Sequence, residues 1–142
     1  MPQDPRYVRF VRFELTLPLR YNSPSPGILG DPIPQQLMDE ARAQLRRRFR
    51  GLKRWVGEGD SFYPESGHEY VGEPEQYFRV NVPLEDAGAA WEWFQDHCCH
   101  WADLFQQEEI YLEIPELGIA CRFRSKNHPG PQPDNPFSAG AG

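Results

Sequence analysis

No stretch of the chain approaches the ~18 uninterrupted apolar residues of a membrane-spanning helix, so a soluble protein with no membrane partner is expected. Cysteine is scarce. Cys98, Cys99 and Cys121 make an odd count, which argues for free thiols and against the disulfide framework of a small secreted domain. A bridge between the neighbours Cys98 and Cys99 would close a strained ring inside a helix and is discounted. The opening Met1-Pro2-Gln3-Asp4-Pro5 has neither the basic segment nor the apolar core of a signal peptide, and the expected location is the cytoplasm. Positive charge is also in deficit. A net charge of −6 and a pI near 5.2 oppose the field that attracts a phosphate backbone, so nucleic acid is not an expected partner. No Walker loop, GxGxxG, HExxH or GxSxG occurs. Their absence counts against the best-marked enzyme classes, and nothing implies a cofactor.

What is present suffices for one core. At 142 residues with 39% hydrophobic and 13% aromatic content, the chain is expected to form a single domain over residues 1–124. The clearest packing signal is Asp86–Phe105. Wound as a helix, it puts Ala87, Ala90, Trp91, Phe94, Cys98, Trp101 and Phe105 on one face and Glu92, Gln95, Asp96, Cys99, Asp103 and Gln106 opposite. Such a face needs a sheet beneath it. Alternation predicts a first strand over Tyr7–Leu19 with Val11, Phe13, Leu15 and Leu17 inward. It predicts others over Glu75–Pro83, with Phe78, Val80 and Val82 inward, and Glu109–Ile114, with Ile110, Leu112 and Ile114 inward.

Between the strands, Tyr21–Gly30 reads as an irregular loop, long enough for a flap but more ordinarily a crossover. Asp31-Pro32 reads as an N-cap and first helical turn, opening a helix to about Leu52 that buries Ile33, Leu37, Ala41, Leu45, Phe49 and Leu52. Arg48 falls within that apolar stripe, to snorkel past the helix end or to point into a pocket. Trp55–Pro64 is a strand broken by glycines, and His68–Pro74 is ambiguous. Ile119–Phe123 supplies an extra C-terminal edge strand. Residues 125–142 are Pro- and Gly-rich, flexible or extended unless something holds them. Strand, helix, strand, strand, helix, strand is the split βαβ order. It predicts an α+β ferredoxin-like βαββαβ sandwich, an antiparallel sheet with two helices on one face and the other face open.

Three segments add to this: GLKRWVGEGDSFY at Gly51–Tyr63, EQYFRVNVP at Glu75–Pro83 and FQQEEIYLEI at Phe105–Ile114. Their glycine-bearing second strand, valine-rich third strand and Phe-x-Gln-Glu helix exit resemble small bacterial ferredoxin-like domains of unknown function. The resemblance covers about half the chain, rests on packing and turn residues, and implies the fold without an activity.

Three places could carry chemistry. The string His97-Cys98-Cys99-His100 cannot close on one ion from a single straight helix, and no second ligand pair is evident, although His68, His128 or Cys121 would have to complete such a site. No metal is expected, and His97 and His100 read as a pH-sensitive edge. Cys99, flanked by Asp96 and Asp103, lacks the cation that activates a nucleophile. The open face is the second place. If the first, third and fourth strands adjoin, Arg12, Glu14 and Thr16 lie beside Tyr77, Arg79 and Asn81, with Tyr111 and Glu113 beyond. As a ligand site this gives Arg12 and Arg79 as anion clamps, Glu14 or Glu113 as a base, and Tyr77 or Tyr111 as stacking groups or acids. The bland alternatives are a solvated face or a surface on which two copies stack. The third place is the basic helix face Arg42, Arg46, Arg47, Arg50 and Arg54, a docking element for a protein partner or the counterweight of a helix dipole. The leading expectation is a non-enzymatic accessory protein that binds a protein partner or itself. The alternative is a small enzyme or anionic-ligand-binding protein using the open face.

Overall fold

The computed structural model describes residues 4–22, 30–65, 67–127 and 130–138. Its elements are β1 (Phe10–Pro18), α1 (Gln35–Arg48), β2 (Lys53–Tyr63), β3 (His68–Pro83), α2 (Ala87–Leu104), β4 (Glu109–Ile114) and β5 (Ile119–Arg124). Short 3-10 turns at Leu84–Asp86 and Pro115–Leu117 lead into α2 and β5. The fold is mixed α+β: five strands pair antiparallel in one sheet of order β2-β3-β1-β4-β5, with two helices. β1 is the middle strand. It pairs with β3 along its whole length, from Phe10↔Pro83 to Pro18↔Glu75, and with β4 at Glu14↔Glu113 and Leu15↔Leu112.

Alternation places the inward residues as expected. Val11, Phe13, Leu15 and Leu17 of β1, Phe78, Val80 and Val82 of β3, and Ile110, Leu112 and Ile114 of β4 join one buried cluster with both helices. From α2 come Trp91, Phe94, Cys98, Trp101 and Ala102, and from α1 Met38, Ala41 and Leu45. Phe94 is the hinge of this packing. Its ring stacks on Phe13 at 5.3 Å and on Phe49 at 5.3 Å, tying α2 to the middle strand and to the exit of α1. The Trp91 Nε1–H donates to Cys121 Sγ at 3.3 Å, so the indole also meets β5 without an unsatisfied donor.

The structure departs from the sequence expectations in four places. α1 starts at Gln35, not at Pro32, because the preceding residues bridge to the segment that follows β1. The Tyr21 amide donates to the Asp31 carbonyl at 2.8 Å and the Ile33 amide to the Leu19 carbonyl at 2.9 Å. Pro34 holds Ile33 in extended backbone and moves the start one turn on. The helix also ends sooner, at Arg48, with Phe49 extended and turned into the core. Arg50 therefore follows the helix and Arg54 lies in β2, so the five expected basic residues do not share one helix face. Arg48 is exposed, its guanidinium 5.0 Å from the Phe49 ring centroid. The ambiguous His68–Pro74 is strand: it continues β3, which carries one extra residue between Tyr70 and Glu73, opposite Gly59–Ser61 of β2. There the Gly72 amide donates to Asp60 Oδ1 at 2.7 Å. Cys99, expected in solvent, is only 7% exposed.

The expected flap falls mostly on residues 23–29, outside the described residues, as does His128. Three side chains hold the segment 130–138. Gln132 exchanges two hydrogen bonds with the backbone of Arg124, at 3.0 and 2.9 Å. Asn135 Nδ2 donates to the Gly88 carbonyl at 3.1 Å and to Glu92 at 2.9 Å, and Phe137 meets Phe13 edge-on at 6.0 Å. Among the described residues no helix is long and apolar enough to cross a membrane. Phe94→Ala removes the ring shared by β1, α1 and α2 and is expected to cost about 3–5 kcal/mol, read as a lowered urea midpoint; Tyr111→Ala, on the exposed side, is expected to cost under ~1 kcal/mol.

Candidate functional site

Burying one side of the sheet sends the alternate residues to the other side. β1 presents Arg12, Glu14 and Thr16, β3 presents Glu75, Tyr77 and Arg79, and β4 presents Tyr111 and Glu113. Their registers are Glu14↔Arg79, Thr16↔Tyr77 and Glu14↔Glu113. β2 adds Lys53, Trp55, Gly57 and Gly59, with Trp55 opposite Tyr77 and Lys53 opposite Arg79.

At the centre of this face is a cavity of about 150 Å³ lined by Glu14, Leu15, Thr16, Trp55, Tyr77, Phe78 and Glu113. Trp55 and Tyr77 stack at 5.6 Å with 18° between their planes. The neighbouring glycine makes room for the pair: a Cβ on Gly57 would sit 2.8 Å from Tyr77 Cε2. Burial holds the Tyr77 phenol above its usual range, helped by its hydrogen bond to Glu75 and by the charges of Glu75 and Glu113. It is therefore a neutral donor at physiological pH. Burial, and then the Glu75 charge, also raise Glu73.

The arginines are already engaged. Arg79 Nε donates to Glu14 Oε1 at 3.0 Å, and its guanidinium lies 5.3 Å from the Trp55 ring centroid. Arg12 Nε donates to Glu116 Oε1 at 2.8 Å, with its amide on Glu116 Oε2 at 3.1 Å. Further along the face, Tyr111 Oη donates to Glu109 Oε1 at 2.7 Å, where Arg122 also bonds. Of the six residues expected to serve a ligand on this face, Glu14, Tyr77 and Glu113 converge on the cavity, Arg79 flanks it, and Arg12 and Tyr111 belong to neighbouring pairs. Sequence reasoning missed Trp55 and Gly57. The signal was there: Lys53, Trp55, Gly57 and Gly59 recur at period two, and pairing that strand with β3 puts the indole over the phenol.

The other expected places offer less. Arg42, Arg46 and Arg47 are exposed on α1, and Arg50 and Arg54 are exposed beyond it. His97 stacks on Trp93 at 3.7 Å and its Nδ1–H donates to the Trp93 carbonyl at 2.8 Å, while His100 is exposed. Burial pushes the Cys98 thiol well above its usual range, and burial followed by the Asp96 charge raises Cys99, so neither is a ready thiolate. Among the described residues no three His, Cys, Asp or Glu side chains cluster as metal ligands.

An α+β sheet protein with one covered face and a cavity on the other is the class that this geometry defines. No family model matches the chain, and no curated protein is similar to it in sequence. A solved structure, a phage SAM lyase in complex with S-methyl-5'-thioadenosine, is similar with a TM-score of 0.57 and 14% identity, over 84% of this chain and 92% of that one. At that identity the likeness shows the fold. It stands against the expectation of a non-enzymatic accessory protein, because the similar structure is an enzyme.

The Glu109 group gives a pH test. Burial alone would raise its carboxyl, but hydrogen bonds from Tyr111 and Arg122 outweigh burial and bring it below the usual range. A carboxyl lowered by folding stabilises above its unfolded pKa and loses that contribution as pH falls through the folded value. Glu109→Gln is accordingly expected to flatten the decline of the thermal midpoint below about pH 5 while leaving its slope at neutral pH unchanged.

Proposed function

We propose that the open sheet face is the working surface of a small enzyme that binds a sulfonium nucleoside of the SAM type. The observation that carries this reading is the cavity itself, where Glu14 and Glu113 stand beside the stacked Trp55 and Tyr77 rings. Carboxylates and aromatic faces both attract an organic cation, and the same rings offer a shelf for a flat base. With Arg12 and Arg79 bound to Glu116 and Glu14, the face is better suited to a cation than to an anion. The cavity is smaller than the ~300–1,000 Å³ that encloses a drug-sized ligand, so the nucleoside lies along the face with its charged end at the carboxylates. The bound S-methyl-5'-thioadenosine of the similar phage enzyme supports this choice of ligand.

In the reaction we infer, one carbon–sulfur bond of the sulfonium breaks and its electron pair stays on sulfur, leaving the neutral thioether S-methyl-5'-thioadenosine. The departing carbon chain loses a neighbouring proton and forms a double bond. Glu113, with no arginine on it among the described residues, takes that proton, while Tyr77, its hydroxyl proton held by Glu75, presents its ring to the bound ligand. The strand order supports a finer reading of the fold as well: chain order β1-α1-β2-β3-α2-β4 with β2-β3-β1-β4 side by side fits a ferredoxin-like βαββαβ arrangement extended by β5.

Incubating the full chain with SAM and separating the products by chromatography tests the reading. S-methyl-5'-thioadenosine is expected to accumulate, about 100-fold more slowly with Glu113→Gln, and Trp55→Ala is expected to raise KM about ten-fold. A chain that neither binds SAM nor releases the thioether would overturn it.

A further inference from the structure

Arg79 has two partners that the proposed ligand also needs. Its Nε–H is on Glu14 Oε1 at 3.0 Å, and its guanidinium lies 5.3 Å from the centroid of Trp55. Glu14 and Trp55 both line the cavity. A planar cation resting between a carboxylate and an indole is the arrangement by which such a site would hold an incoming cation. Arg79 is about one-third exposed and Glu14 is more covered, at 22%. The residue directly across from Arg79 on β2 is Lys53, a like charge, so Glu14 is the partner that keeps Arg79 in place.

We propose, resting on the reading of this face as a cation site, that Arg79 is an internal stand-in for the ligand's charge. It occupies the Glu14–Trp55 position when the site is empty of ligand and must be displaced when a cation binds. Two consequences separate this from an ordinary ligand contact. Removing Arg79 tightens the binding of a cation, where removing a contact residue weakens it. The gain also depends on charge: a ligand of the same shape that is neutral at that position does not compete with Arg79 and gains nothing. Arg79 thereby sets a threshold, admitting only ligands whose charge repays its displacement, and the discrimination in favour of neutral product release follows from the same competition. Once the sulfonium has become a thioether, Arg79 returns to Glu14 and the product has lost its hold on the carboxylate.

The test uses the full chain and two ligands that differ at one position. Sinefungin carries an amine cation where SAM carries its sulfonium and has no carbon–sulfur bond to break there; S-adenosylhomocysteine is neutral at that position. Calorimetry on the unaltered chain, Arg79→Gln and Arg12→Gln compares a charge removed from Trp55 with one removed from the Glu116 pair on the same face. Arg79→Gln is expected to bind sinefungin about ten-fold more tightly and S-adenosylhomocysteine unchanged, with Arg12→Gln altering neither by more than about two-fold. Cooperative urea unfolding with a midpoint close to that of the unaltered chain would show that both variants fold. Weaker sinefungin binding by Arg79→Gln, or equal tightening of both ligands, would overturn the inference while leaving the cation site standing. If neither ligand binds any of the three proteins, the reading of the face fails and the inference fails with it.

Discussion

Everything on the open face depends on the contact between the aromatic side of α2 and the sheet. Trp91, Phe94 and Trp101 are each no more than 1% exposed, and Phe94 lies between Phe13 of the middle strand and Phe49 at the end of α1. Because strand side chains alternate, covering Val11, Phe13, Leu15 and Leu17 leaves Arg12, Glu14 and Thr16 uncovered. A slip of one residue in β1 would carry Glu14 into the core and Phe13 into water, a change no local adjustment could offset. The same contact that stabilises the domain therefore fixes where its polar residues can meet.

Register then selects which polar residues meet. The pairing of Glu14 with both Arg79 and Glu113 makes β1 the shared wall of two strand pairs, and Thr16 across from Tyr77 continues that wall. β2 completes it from the far side of β3, placing Trp55 over Tyr77 where Gly57 leaves space for the ring. Charge on the face is largely paired: Arg12 with Glu116, Arg79 with Glu14, and Arg122 with Glu109. Glu113 adds a carboxylate at the cavity without such a partner among the described residues, so the cavity leans towards cations although Lys53, Arg12, Arg79, Arg122 and Arg124 share the face with it.

Period-two alternation was legible wherever one side of a strand is buried, as in Phe78-Arg79-Val80-Asn81-Val82, and the 3.6-residue spacing of Trp91, Phe94, Cys98 and Trp101 marked α2. What the sequence concealed was set by tertiary contact. Asp31 and Pro32 carry good helix-start chemistry, yet their backbone is taken by Leu19 and Tyr21, and the second proline moves the start to Gln35. Gly72 and Pro74 look like strand breakers, but the irregularity at Gly59–Ser61 lets β3 run through them. Cys99 reads as exposed on a lone helix and is only 7% exposed once the rest of the chain is packed around it. On the face itself, the expected tyrosines and charges were identified by strand alternation alone. Their pairing was not, because whether an arginine is available or already held depends on a carboxylate such as Glu116, distant in sequence and brought close by the turn before β5.

Backbone amide shifts recorded while SAM or sinefungin is titrated into the isotope-labelled chain test the central claim most directly. The account predicts changes concentrated at Glu14, Thr16, Trp55, Tyr77 and Glu113, with the Trp55 indole resonance moving most and His97, His100 and the Arg42–Arg50 segment unchanged. Changes confined to α1, or to the helix-covered side around Trp93 and His97, would contradict it.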